Sequence, residues 1–193
     1  IYCAVGVYDT VTVARKAPGT GFSLNLEGAH LGDLASSGSD MRRNHAVLAL
    51  FALAEASGNE PDVALSIDKR IPVGAGLAGG SADAAATLLA LNKLWNLDWP
   101  LARLQQVAAT LGADMPFCLS GGYAHGTGFG ERIEELPSDG DTVRDLTDRG
   151  FAGRLLVGAY RAELRTPEVY ATFDRIGAGE GDDNHLQQAA ISL

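Results

Sequence analysis

A glycine-rich run at residues 71–81, Ile-Pro-Val-Gly-Ala-Gly-Leu-Ala-Gly-Gly-Ser, constrains the fold of this chain more than any other feature. Just before it, Val63, Leu65 and Ile67 alternate with small or polar residues, a pattern that predicts a strand. An alanine-rich segment at 82–94 follows the run and predicts a helix. The sequence therefore predicts a strand, a glycine-rich loop and a helix in direct succession.

Such a loop is suited to binding phosphate. Glycines at 74, 76, 79 and 80 allow backbone conformations closed to other residues and let a ligand approach the chain closely. The first N–H groups of the following helix have no internal partner and lie at the positive end of its dipole, so they bind anions. Ser81 adds a hydroxyl suited to a phosphate oxygen or a bound Mg²⁺. The alternative interpretation is a tight turn that merely begins a helix.

Three types of phosphate loop share parts of this pattern. Gly74 to Gly79 matches G-x-G-x-x-G, but a dinucleotide site also needs an acidic residue at the end of a second strand about 20 residues later. That distance falls here at the end of the predicted helix. A Walker A loop needs a lysine after its glycines, and a protein-kinase loop needs catalytic motifs downstream; this sequence contains neither. What remains is a phosphate loop without a lysine of its own.

The rest of the chain mixes strands and helices in irregular order. We predict strands over 5–15, 22–26, 63–67, 117–125 and 155–160, and helices over 45–56, 82–94, 101–111 and 166–176. Residues 137–150 are rich in aspartate and predict a solvated loop, while 126–130 predict either a tight hairpin or a ligand-facing loop. Because strands and helices do not alternate regularly, the pattern favours an α+β fold over a doubly wound parallel sheet.

The charge balance excludes several classes of partner. With 24 acidic and 15 basic residues the net charge is −9, so the chain lacks the broad basic field that attracts nucleic acid or anionic membranes. No apolar run approaches the ~20 residues of a membrane span, and the four histidines show no metal-ligand spacing. Cys3 and Cys118 belong to no paired motif, which indicates a reducing compartment and predicts a cytoplasmic protein.

Asp114 is the second residue of chemical interest. It follows a predicted helix that ends at Gly112 and precedes Pro116, a position where aspartate commonly forms a turn or caps a helix. A carboxylate there can also act as a general base that accepts the proton of an attacking hydroxyl during phosphoryl transfer. The residues alone leave both interpretations open.

Several segments resemble those of the GHMP kinases, the superfamily of galactokinase, homoserine, mevalonate and phosphomevalonate kinases. Residues 72–85 resemble the glycine-rich ATP loop of that superfamily. Residues 111–117, Leu-Gly-Ala-Asp-Met-Pro-Phe, resemble the catalytic aspartate segment of the branch that phosphorylates a cytidine diphosphate methylerythritol. Residues 126–131, 166–170 and 184–187 resemble further segments of that branch, in the same order.

The resemblance implies a kinase that uses ATP and Mg²⁺ on a small-molecule substrate, with neither nucleic acid nor membrane as a partner. It implies phosphorylation of the 2-hydroxyl of the cytidine diphosphate methylerythritol, in the non-mevalonate route to isoprenoid precursors. It also implies a two-domain GHMP-type α+β fold in a monomer or homodimer. An ATP-binding domain would occupy 1–135, without its first strands, and 151–193 would begin a truncated C-terminal domain.

The resemblance also implies roles for individual residues. Asp114 would be the catalytic base, and Ser81 the metal-binding hydroxyl. The residues that would bind ATP are Pro72, Gly74, Gly76, Leu77, Ala78, Gly79, Gly80, Ser81, Ala82 and, near the adenine, Asn44. The residues that would contact the cytidine-bearing substrate are Gly128, Phe129, Gly130 and Tyr170.

The chain also departs from the GHMP pattern. Family members carry an N-terminal segment with a catalytic lysine and a Gly-Tyr-His element, and a later glycine-rich loop, which this sequence does not contain. His185 stands where the family usually has an acidic residue. Because Ile1 reads as if already inside a strand, we expect a fragment. Two alternatives stay open: another GHMP kinase, such as homoserine kinase, and a nucleotide-binding domain without catalysis.

Overall fold

A computed structural model describes residues 1–29, 31, 41–156, 166–178 and 185–193 of the chain. The strands in these ranges are β1 (Tyr2–Cys3), β2 (Thr10–Arg15), β3 (Ser23–Gly28), β4 (Val63–Lys69), β5 (Tyr123–Thr127) and β6 (Arg132–Leu136). The helices are α1 (His45–Ser57), α2 (Gly79–Leu94), α3 (Leu101–Ala109), α4 (Met115–Ser120), α5 (Asp141–Asp148), α6 (Thr166–Ile176) and α7 (Gln187–Ile191).

Strand β4 is the centre of the first sheet. β2 pairs with it antiparallel on one side, with Val13 opposite Leu65, and β3 pairs with it parallel on the other side. Successive side chains of a strand point to opposite faces, and in β4 the buried face carries Val63, Leu65, Ile67 and Lys69. The strand therefore brings a lysine to the same buried face as three aliphatic residues.

Helices α1 and α2 pack against each other and share a hydrophobic core with β4. The alanines of α2, among them the fully buried Ala84, let the two helices approach closely. α1 begins at a defined cap, because the side chain of Asn44 accepts a hydrogen bond from the backbone N–H of Ala46 at 2.9 Å. Gly58, with a φ of 70°, ends the helix. These contacts fix α2 and the loop that precedes it.

The second sheet has the order β1-β5-β6, and its neighbouring strands are antiparallel. β5 and β6 form a hairpin in which Thr127 lies opposite Arg132. Residues 126–130, which we call the second glycine cluster, lie in this hairpin and its turn, as the hairpin interpretation predicts. At the other edge, Tyr2 of β1 lies opposite Ala124. α4 precedes β5 and leads the chain into this sheet.

Two sequence predictions were wrong. The predicted strand over 117–125 is divided into α4, which ends at Ser120, and β5, which begins at Tyr123. Pro116 is well accommodated in the first turn of a helix, and Gly121, with a φ of 68°, ends that helix. The predicted loop over 137–150 contains helix α5, which begins with an acidic residue favourable to the helix dipole and buries Val143.

The other predicted helices and strands within the described ranges are present, some with different bounds. The α+β class is confirmed, and α6 has the predicted bounds of 166–176. α2 begins at Gly79, three residues earlier than predicted, and the first predicted strand is limited to β2, with its earlier residues outside it. The predicted strand over 155–160 lies mostly outside the described residues. No helix in the described ranges is long and apolar enough to cross a membrane.

Candidate active site

The loop between β4 and α2 leaves the start of α2 open. Gly76 has a φ of 71° and Ala78 a φ of 53°, both in the left-handed region. Ala78 is the residue before the helix, and no side-chain cap is formed there. The first backbone N–H bonded within the turn is that of Ala82, which donates to the carbonyl of Ala78 at 2.9 Å. The helical amides before it have no hydrogen-bond partner within the described ranges, so they can donate to an anion.

A cavity of about 370 Å³ lies over this helix start, and we call it the loop cavity. Loop residues from Pro72 to Ser81 form one side of it, and Asn44, His45 and Lys69 contribute to the rest. A Cβ atom placed on Gly80 would lie only 2.6 Å from Nδ1 of His45. Glycine at this position thus lets His45 of α1 lie close to the start of α2.

A second cavity, of about 490 Å³, lies on the other side of the loop and contains Asp114. We call it the acid cavity, and its other lining residues include Tyr2, Phe117 and Cys118. Three consecutive residues, from Gly76 to Ala78, line both cavities. A ligand whose anionic end lies at the start of α2 would therefore contact the segment from Gly76 to Ala78. The same segment lines the cavity that contains Asp114.

Asp114 lies at the start of α4, but its side chain does not cap that helix. Instead the hydroxyl of Tyr2 donates a hydrogen bond to Oδ1 of Asp114 at 3.1 Å. Burial and the charge of Asp114 raise the pKa of Tyr2 to about 12, and the same two causes raise the pKa of Cys118 to about 11. Both neighbours thus stay protonated near neutral pH, which leaves the carboxylate as the proton acceptor of this cavity.

A buried ion cluster supports the loop from below. Nζ of Lys69, whose side chain is 3% exposed, bonds to Oδ2 of Asp83 at 2.8 Å and to Oδ2 of Asp9. The other oxygen of Asp9 accepts the backbone N–H groups of Arg70 and Ile71, at 2.5 and 2.8 Å. The cluster therefore joins the residues that begin the glycine-rich loop to Asp83, the fifth residue of α2.

The pKa values of the three cluster residues show where hydrogen bonding outweighs burial and where it does not. Burial alone would lower the pKa of Lys69, but its hydrogen bonds to Asp83 and Asp9 outweigh burial and raise it. Burial alone would raise the pKa of Asp9, but its three hydrogen bonds outweigh burial and lower it. At Asp83 burial prevails, and the pKa is raised to about 6. Oδ1 of Asp83 is buried and has no hydrogen-bond partner among the described residues.

Comparisons with known proteins identify the family of the chain. Residues 44–122 match the family described as GHMP kinases N terminal domain. The chain is 85% identical over 193 residues to a 4-diphosphocytidyl-2-C-methyl-D-erythritol kinase of Bifidobacterium adolescentis, covering 100% of this chain and 63% of that protein. It is 42% identical over 207 residues to the protein of the same name from Streptomyces avermitilis, covering 100% of this chain and 67% of that protein. The chain belongs to the 4-diphosphocytidyl-2-C-methyl-D-erythritol kinase family.

The fold of this family member is similar to that of a solved structure. A crystal structure of 4-(cytidine 5'-diphospho)-2C-methyl-D-erythritol kinase matches with a TM-score of 0.54 at 28% identity, covering 96% of this chain and 65% of that chain. The GHMP kinase fold expected from the resemblance is confirmed. The chain spans 63% of the length of its Bifidobacterium adolescentis relative, so it corresponds to part of such an enzyme.

The structure brings the predicted ATP residues of this GHMP kinase chain together, with one difference. The residues that line the loop cavity are Pro72, Gly74, Gly76, Leu77, Ala78, Gly79, Gly80, Ser81 and Asn44. Ala82 lines the acid cavity instead. Asn44 has two roles: its side chain caps α1, and the residue also lines the loop cavity.

The predicted cytidine residues are more dispersed. Phe129 lies in the β5–β6 turn, and its side chain is 95% exposed. Tyr170, on α6, is 53% exposed. Neither residue lines the loop cavity or the acid cavity. Gly130 is closer to the acid cavity, because a Cβ atom placed on it would meet the hydroxyl of Tyr2 at 2.2 Å.

Sequence reasoning missed four residues of the site: Tyr2, His45, Lys69 and Asp83. Lys69 and Asp83 carry a signal that was available, because each continues a buried pattern, one in a strand and one in an alanine-rich helix. A charged residue at a buried position needs a partner of opposite charge, so the two predict each other. Tyr2 and His45 carry no such signal, since only the fold brings them to the site.

We expect the stability contribution of Asp83 to decrease as the pH rises. Its pKa is about 6 in the folded protein and near 3.8 when unfolded, so the folded state binds more protons between these values. The free energy of unfolding of the wild type, relative to Asp83→Asn, should therefore fall between pH 4 and pH 7. Urea unfolding of both proteins across this range measures the difference. A difference that is constant or rises with pH would contradict the raised pKa.

Proposed function

We propose that this chain forms the ATP-binding and catalytic-base part of a kinase that phosphorylates the 2-hydroxyl of 4-diphosphocytidyl-2-C-methyl-D-erythritol. The observation that carries the proposal is the wall shared by the two cavities, with an open helix start on one side and Asp114 on the other. Relatives of this name at up to 85% identity support the choice of acceptor. The product would enter the non-mevalonate route to isoprenoid precursors.

ATP would lie in the loop cavity. The amides of Gly79, Gly80 and Ser81 would donate to the phosphates, since no side chain caps this helix start. Asn44 would lie at the adenine end, and Ala82 would contact the terminal phosphate from the acid cavity. Lys69 also lines the cavity, but its two carboxylate partners already neutralise it. The amides therefore carry most of the phosphate binding in the described part of the site.

The residues present fit a Mg²⁺ ion that arrives with the nucleotide. Mg²⁺ keeps several waters and is usually held by substrate phosphates with one or two protein oxygens. The hydroxyl of Ser81 lines the loop cavity and would be such an oxygen, while the described residues contain no group of three or more ligands that could hold a resident metal. When bound, Mg²⁺ would neutralise phosphate charge.

Asp114 would act on the acceptor. Its carboxylate would orient the 2-hydroxyl and accept its proton as the hydroxyl oxygen attacks the γ-phosphorus. The bond from that phosphorus to the β,γ-bridging oxygen would break, and its electron pair would leave on ADP. Holding both reactants against the short segment from Gly76 to Ala78 would supply the proximity that such a transfer needs.

The remaining assignments extend this proposal. Gly128, Phe129, Gly130 and Tyr170 would contact the cytidine side of the acceptor. Residues 1–135 would form the ATP-binding domain, and 151–193 would begin the second domain. The free Cys3 and Cys118 support a reducing compartment, the cytoplasm. The protein would act there as a monomer or homodimer.

A choice of acceptors tests the function. In a protein of the relatives' full length that contains this chain, we expect ADP formation from ATP to require 4-diphosphocytidyl-2-C-methyl-D-erythritol and to be negligible with homoserine. A coupled ADP assay with each acceptor, and a parallel binding titration with ATP, give the two readouts. Faster turnover of homoserine would indicate another GHMP kinase. ATP binding without turnover of either acceptor would indicate a nucleotide-binding domain without catalysis.

A further inference from the structure

The ring of Tyr2 is fixed against the start of α4. It stacks on the ring of Phe117 with centroids 4.8 Å apart and an interplanar angle of 16°. Its hydroxyl donates to Oδ1 of Asp114 at 3.1 Å, a contact between residues 112 positions apart in the chain. A stacked ring has little freedom to rotate, so the hydroxyl is held in the direction of the carboxylate.

Two glycines make room for this ring. A Cβ atom on Gly126 would lie 2.5 Å from Cε2 of Tyr2, and a Cβ atom on Gly130 would lie 2.2 Å from its hydroxyl oxygen. Any side chain at either position would displace the ring or its hydroxyl. The third glycine of the cluster, Gly128, differs, because a Cβ atom there would meet the carboxylate of Glu131 instead. Two members of the second glycine cluster thus serve as the seat of Tyr2.

In the pair of Tyr2 and Asp114, only the tyrosine donates a proton to the hydrogen bond. The phenol keeps its proton at neutral pH, because burial and the neighbouring carboxylate raise its pKa to about 12. It is therefore a permanent donor and does not compete with Asp114 for a proton. The bond occupies Oδ1, and no other hydrogen bond to the side chain of Asp114 is formed within the described ranges. Oδ2 is left for a proton from outside the pair.

We propose that Tyr2, seated by Gly126 and Gly130, is a positioning residue that holds the carboxylate of Asp114 with Oδ2 directed at the acceptor hydroxyl. The proposal rests on the function proposed above, in which Asp114 is the base. Tyr2 acts through Asp114, to which its hydroxyl is bonded, and it does not line the loop cavity in which ATP would lie.

Tyr2→Phe tests this in the full-length protein that contains this chain. Phenylalanine keeps the ring stack and removes only the donor, so we expect kcat to fall about tenfold while the KM for ATP is unchanged. Gly126→Ala should give the same loss of kcat by displacing the ring, and combining it with Tyr2→Phe should add little. Tyr123→Phe, which removes a phenol from β5 of the same sheet, is the matched control and should leave kcat unchanged.

The outcomes separate this proposal from the function itself. An unchanged kcat in Tyr2→Phe, or an equal loss in Tyr123→Phe, would overturn the positioning role, and so would a loss accompanied by weaker ATP binding. A crystal structure of Tyr2→Phe gives a readout without turnover: we expect a rotated or disordered Asp114 carboxylate, and an unmoved carboxylate would overturn the role. A wild type that turns over no acceptor would instead contradict the proposed function, and the crystal structure would still decide on the positioning of Asp114.

Discussion

Replacing Lys69 with methionine is expected to lower the free energy of unfolding by about 3–5 kcal/mol. The ammonium group is the shared partner of Asp9 and Asp83, and all three side chains are at most 5% exposed. Methionine fills a similar volume but leaves two buried carboxylates without their cation. Removing one partner in this way costs far more free energy than replacing all the charged partners with apolar residues. Chemical denaturation of both proteins at pH 7 measures the loss.

The neighbouring residue provides a matched control. Arg70 pairs with Asp68 at 3.2 Å, but its side chain is 69% exposed, so Arg70→Met should change the stability by no more than about 1 kcal/mol. Combining Lys69→Met with Asp83→Asn should recover part of the loss, because one of the two stranded charges is removed. Equal effects of Lys69→Met and Arg70→Met, or no recovery in the double variant, would contradict the role given to the buried cluster.

The same cluster connects stability to the site. Asp9 accepts hydrogen bonds from the backbone N–H groups of Arg70 and Ile71, which begin the loop, while Asp83 is the fifth residue of α2. Between these two anchors the backbone reaches left-handed conformations at Gly76 and Ala78. Such a conformation costs free energy at a residue other than glycine, so the surroundings must fix it. The ion cluster supplies that restraint at both ends of the loop.

The sequence patterns predicted β4, the turn after it and α6, because contacts between residues close in the chain decide these elements. The alternation of Val63, Leu65 and Ile67 fixes which face of β4 is buried, and the glycines that follow fix where a turn is possible. The helix from Thr166 was predictable because a threonine followed by a proline is a strong start signal. In each of these cases the deciding contacts lie within a few residues along the chain.

Long-range contacts decide the parts that the sequence did not predict. Asp114 was recognisable as a turn residue or a base, but its partner Tyr2 is 112 positions away. Lys69 and Asp9 are 60 positions apart, and only the pairing of β2 with β4 brings them together. The apolar run around Leu119 is too short for periodicity to distinguish a helix from a strand, so the tertiary structure decided between them.

Replacing Asp114 with asparagine is expected to lower kcat by about 10²- to 10⁴-fold, the usual contribution of a general base. Asparagine has nearly the same shape and can still accept the hydrogen bond from Tyr2 through its carbonyl oxygen, so the site should keep its structure. ATP affinity should be unchanged, because Asp114 lines the acid cavity and not the loop cavity. Steady-state kinetics and an ATP titration of the full-length variant measure both.

Asp98→Asn is the matched control for this change. Asp98 is exposed, with a φ of 51°, and asparagine is readily accommodated in that left-handed conformation. Its replacement removes the same charge from the chain and should leave kcat and ATP affinity unchanged. A variant at Asp114 that keeps full activity would remove this residue from the mechanism. A loss of ATP affinity equal to the loss of kcat would assign it to nucleotide binding, because a base acts on the hydroxyl proton and not on the bound phosphates.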